Sequence, residues 1–146
     1  MTDLTRLLLA AGILVLAAGC TPKGDEADGG AASAALDPAL AGDLTLLGTE
    51  PFWGVVIAGP SNATTFTRPD HAAVAAGLPE RVGASGGAKL TATAAEGKIE
   101  MTLTKKDCSD GMSDRTYPYE AEVVWQGETL KGCGVPTELL DTLGAQ

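Results

Sequence analysis

Residues 98–104 read KIEMTLT, in which Ile99, Met101 and Leu103 alternate with Glu100, Thr102 and Thr104. A period of two separates apolar from polar side chains only on an extended chain, where successive Cβ atoms point to opposite faces. On a helix each residue turns about 100° from the last, so the same pattern would scatter its apolar groups around the cylinder. The segment is therefore expected to be a half-buried strand, and a strand is stable only beside partners.

The flanking sequence supplies them. Residues 53–57 (WGVVI) form a β-branched run between Glu50-Pro51 and Gly59-Pro60, and residues 62–68 (NATTFTR) form another, stopped by Pro69. Residues 88–94 (AKLTATA) and 119–125 (YEAEVVW) read the same way, the latter with Ala121, Val123 and Trp125 opposing Glu120, Glu122 and Val124. Glu96-Gly97 and Gln126-Gly127 are hairpin turns, the second leading into a short strand at residues 128–131 (ETLK). Residues 71–78 (HAAVAAGL) are interrupted by Gly77 and receive no element. Only the end looks helical: Pro136 suits a first helical position, Thr137 and Glu138 a first turn, and Leu139, Leu140 and Leu143 an apolar side. The expected fold is all-β, a small antiparallel barrel or sandwich of six or more strands with a short C-terminal helix.

Ahead of this domain, assigned to residues 43–146, lie two segments of other character. Residues 7–18 (LLLAAGILVLAA) make an apolar core behind Arg6, the length of a signal peptide and too short to span about 30 Å of hydrocarbon. It ends in residues 16–20 (LAAGC), which resemble a bacterial lipobox. The expectation is cleavage after residue 19 and lipidation of Cys20, whose thiol takes a diacylglycerol and whose freed amine takes a further acyl chain. Thr21 stands where an Asp would signal inner-membrane retention, which favours the outer membrane, facing the periplasm. Residues 20–42 are then the lipidated cysteine and a tether, small and polar from Thr21 on, whose flexible span would be about 25 Å.

Ten basic residues stand against 19 acidic ones, a net charge of −9. No basic stripe exists to neutralise phosphates, so nucleic acid is not an expected partner. An acidic surface steers cationic proteins instead. Once Cys20 is set aside, Cys108 and Cys133 remain, and outside the cytosol they are expected to form a disulfide. No CxxC occurs and His71 is the only histidine, so no metal or other cofactor is expected. Asp107, Asp110 and Asp114 around Gly111 lack the spacing of a calcium loop, and Asp110 with Ser113 is read as tying down the loop beside the disulfide.

Two further segments stand out. Residues 48–53 read GTEPFW; residues 108–119 read CSDGMSDRTYPY and are followed by Gly132-Cys133-Gly134. Together they resemble a family of uncharacterised bacterial envelope lipoproteins with a G-x-E-P-F-W entry strand and a C-x-D-x-M-S…Y-P…G-C pattern. The resemblance implies a small disulfide-bonded β-barrel outside the cytoplasm and no particular activity. Its motif residues, Glu50, Phe52, Trp53, Asp110, Met112, Ser113 and Tyr117, are the candidate binding positions. Phe52 and Trp53 must point to opposite faces of their strand, one plugging the barrel and the other on its rim.

An enzyme is not expected. Ser113 would need a base, and His71 sits alone in an alanine-rich stretch. A tethered, acidic, rigid β-domain suits a protein- or ligand-binding envelope module, its partners the membrane through Cys20 and a basic protein or a cell-wall polymer. Lysozyme inhibition is one concrete form of this, by likeness of general plan alone. A structural or stress-response component of the envelope is the other alternative.

Overall fold

A computed structural model describes residues 34–61 and 63–144. The leader, Cys20 and the first part of the tether lie outside the described residues. Nine strands run through the described part: β1 (Leu44–Thr49), β2 (Phe52–Ala58), β3 (Ala63–Thr67), β4 (Val74–Ala76), β5 (Glu80–Ala84), β6 (Gly87–Ala94), β7 (Gly97–Ser109), β8 (Thr116–Trp125) and β9 (Glu128–Pro136). All pairings are antiparallel, in the order β4-β3-β2-β1-β9-β8-β7-β6-β5. The ring closes where Ala76 of β4 meets Ala94 of β6, so eight strands make a barrel and β5 is a ninth laid along β6.

The alternation of residues 98–104 does what it promised. Ile99, Met101 and Leu103 are at most 1% exposed, and the outward positions between them stay at the surface. Ala121, Val123 and Trp125 of β8 face the same interior, joined by Leu46, Val55, Ile57, Phe66 and Leu90. Small residues on β6 (Ala88, Ala92, Ala94) leave room for the large side chains opposite. The barrel is a packed core, and Phe66 and Trp125 lean on each other near one mouth with ring centroids 6.0 Å apart.

Both expected hairpins form. The β8–β9 turn is Gln126-Gly127 with φ of 49° and 83°, the doubly left-handed geometry that matches strand twist. The β6–β7 turn centres one residue earlier than expected, at Ala95-Glu96, because Gly97 already pairs with Ala94.

Two expectations are corrected. The C-terminal helix is a single 3-10 turn, Thr137–Leu139, followed by turns up to Gly144. So short a helix is not stable by itself, the Thr142 hydroxyl bonds the Leu139 carbonyl, and Gly144 at φ 98° ends the run. The second concerns residues 34–42, assigned to the tether but packed on the barrel. Leu40 is fully buried and Leu36 packs against the core. Asp37 caps a 3-10 turn at Pro38–Leu40, and Arg81 donates to the carbonyls of Leu40 and Gly42. Two leucines suffice to dock the strap, although its composition is that of a linker.

One irregularity shapes the outer face of the barrel. Between Lys105 and Cys108 the β7–β8 register slips by one residue, a bulge that bends β7 and redirects the loop after it. On β9, Gly134 faces Leu103, Leu46 and Ala121 inside, so Cys133 and Val135 point outward. They are buried nonetheless, in a second small cluster with Tyr117, Leu47, Cys108, Leu140 and Leu143.

Candidate functional site

Across the outer face of the barrel runs a groove of about 940 Å³. Its floor is made of outward residues of three adjacent strands: Thr102 and Thr104 of β7, Glu120 and Glu122 of β8, Lys131 of β9. One wall is the β1–β2 tip, with Thr49, Glu50 and Phe52. The other is the loop after the bulge, with Cys108, Asp110 and Met112. Residues some sixty positions apart in the chain thus face one another across a common space, because β1 pairs with β9 and β9 with β8.

Three ties hold the walls. Cys108 and Cys133 are joined, their Cα atoms 5.6 Å apart, which fixes the loop to β9. The Thr49 hydroxyl donates to the Asp110 carbonyl at 2.8 Å. Behind the first wall, the Trp53 indole N–H donates to the Lys131 carbonyl at 3.3 Å.

Asp110 organises the second wall. Its Oδ1 accepts from the backbone N–H of Met112 at 2.9 Å and of Ser113 at 2.8 Å. Its Oδ2 accepts from the hydroxyls of Ser113 at 2.8 Å and Tyr117 at 3.0 Å. Led by the Ser113 N–H, these donors outweigh partial desolvation and hold the carboxyl down at about 2. Every donor is neutral, so Asp110 keeps its full negative charge. Its role as the tie of this loop is the one expected from the sequence.

The two aromatics of the entry strand part company. Trp53 is 5% exposed in the core, whereas Phe52 is 53% exposed on the groove. Met112 stands opposite on the far wall, 70% exposed. Of the candidate residues, Glu50, Phe52, Asp110 and Met112 line the groove, Ser113 and Tyr117 brace it, and Trp53 lies beneath. The floor was not anticipated. Its residues are the outward members of alternating strands, and nothing in their spacing tells a groove floor from any solvated face.

A smaller cavity, about 410 Å³, lies at the barrel mouth by Phe66 and Trp125. There Arg68 makes two bonds to the Glu128 carboxylate, at 2.6 and 3.2 Å. His71 lines this cavity, while the Ser113 hydroxyl is engaged with Asp110 at the groove. Among the described residues no group of three His, Cys, Asp or Glu side chains is placed to hold a metal.

No family model, no curated protein and no solved structure matches the chain.

Proposed function

We propose that the protein is a lipid-anchored module of the bacterial cell envelope that recognises a macromolecular partner through the outer groove. The observation that carries this is the exposure of Phe52. The described barrel holds six aromatic side chains; five are at most 7% exposed, and the sixth stands half in solvent on the wall of the groove. Exposed apolar groups gathered within a polar rim mark recognition surfaces, and Met112 lines the same groove as Phe52. The interior is filled by its own side chains, which favours binding on the surface over enclosure of a small ligand. The leader and Cys20 supply the anchor, and the tether lifts the domain from the lipid.

The test has two arms. Metabolic labelling with palmitate should mark the wild-type protein and not Cys20→Ser. A photo-crosslinking residue at Phe52 should capture a discrete envelope partner in intact cells, while one at Val56, exposed on the outside of β2, should not. Identical patterns from both positions would remove the groove from the proposal. Inhibition of lysozyme is a second reading, favoured by the net charge of −9. Loss of lysozyme activity on adding the protein at low ionic strength is its direct assay.

A further inference from the structure

We infer that the groove docks a basic protein, through a segment that places an apolar side chain next to a lysine or arginine. The inference rests on the recognition reading above and adds the chemistry of the partner. Charge gives the sign. The lining holds four carboxylates, Glu50, Asp110, Glu120 and Glu122, against one lysine, Lys131. Lys106 pairs with Glu120 at 2.8 Å, and Lys131 lies opposite Glu122 in the β8–β9 register. Glu50 has no ion-pair partner among the described residues, and Asp110 is met only by neutral donors. An excess of negative charge therefore remains at both walls, beside the two apolar lips.

The lips say what accompanies the cation. Phe52 offers an aromatic face, on which a guanidinium or ammonium group is attracted while its methylenes make apolar contact. Met112 is soft and unbranched and adapts to an irregular apolar neighbour. Its backbone is fixed by Asp110, so the side chain projects from a rigid base. A neutral glycan would donate hydroxyls to these carboxylates without neutralising their charge, and an acidic protein would be repelled by it.

The experiment uses the full-length protein in detergent and a peptide array graded from acidic to basic, each peptide carrying leucine or phenylalanine at set places. Binding is expected to concentrate on peptides with lysine or arginine adjoining the apolar residue. It should weaken several-fold when salt rises from about 50 to about 200 mM. Phe52→Ser should weaken it about ten-fold or more, as loss of an interface anchor does. Glu50→Gln should flatten the salt dependence with a smaller loss. Thermal unfolding of each variant should match wild type, since both residues are exposed. Three results would overturn the inference: equal binding of acidic and basic peptides, unchanged binding by Phe52→Ser, or saturable binding of soluble peptidoglycan fragments that basic peptides do not displace. Failure here with a discrete crosslink still arising from Phe52 rejects the basic partner and leaves the groove standing. Absence of any crosslink rejects the groove itself.

Discussion

Thr49, at the end of β1, donates its hydroxyl proton to the main-chain carbonyl of Asp110, 61 residues further along the chain, at a distance of 2.8 Å. The bond joins the two walls of the groove directly, and the shape of the groove depends on the loop it holds. Asp110→Ala removes the acceptor for two backbone N–H groups and two hydroxyls, one of them on Tyr117, which is 2% exposed. Leaving that phenol unpaired costs about 1–3 kcal/mol. The urea midpoint should fall accordingly, and amide exchange at Met112 and Ser113 should speed up.

The same carboxylate sets an acid limit. Its pKa is lowered, to about 2, so its contribution is complete above the ordinary value of 3.8 and is lost as pH falls from there through about 2. Carbon NMR of the Asp110 carboxyl should titrate near 2, with loop amides shifting in step. A midpoint near 3.8 would show the four donors to be absent in solution.

Joining Cys108 to Cys133 closes a loop over a sequence separation of 25. Chain entropy assigns such a loop about 3 kcal/mol, a large share of a small domain's stability. The Cys108→Ser/Cys133→Ser double variant should unfold at lower urea by that amount. It should also lose protection at Asp110, because the covalent tie of the loop to β9 is then gone and only the hydrogen bonds from Thr49 and Tyr117 remain on Asp110 from outside the loop.

How far the sequence anticipates this molecule varies from strand to strand, for identifiable reasons. β7, β8 and the Gln126-Gly127 turn are legible because one face of each strand is wet and the alternation is clean. β1 is not legible: Leu46-Leu47 blurs its period, since Leu47 faces the satellite cluster and Leu46 the barrel. β4 and β5 carry small residues around Gly77 and Gly83, with too little apolar bulk to show a face. At the site, the two motifs could be singled out, and so could the tie made by Asp110. Their meeting could not, because it needs the β1–β9 pairing and the bulge at residues 105–108, neither of which leaves a local mark.

Residues 34–42 give a prediction that separates strap from linker. Leu40 is fully buried, so Leu40→Ala should cost about 2–5 kcal/mol, where a linker residue would cost nothing. The strap also touches Tyr119, whose hydroxyl donates to Asp37 at 3.1 Å. Burial first, and then Asp37, push this phenol up to about 12. A raised phenol pKa stabilises the fold fully below 10.0, and the contribution is lost as pH climbs from there through about 12. Ultraviolet titration should show one tyrosine ionising near 12, and Asp37→Ala should bring it down.

Phe52 and Trp53 are neighbours in sequence and should differ most in consequence. Trp53 is 5% exposed and bonds the Lys131 carbonyl, so Trp53→Ala opens a cavity behind the groove wall at about 3–5 kcal/mol. A domain of this size has little more than that to lose. Phe52 is 53% exposed and appears in neither buried cluster, so Phe52→Ser should leave the urea midpoint within about 0.5 kcal/mol of wild type. If stability falls for both, Phe52 is part of the packing and its exposure has no bearing on recognition. If only Trp53→Ala unfolds the barrel, the side chain at position 52 is free of the packing, as the proposed recognition through the groove requires.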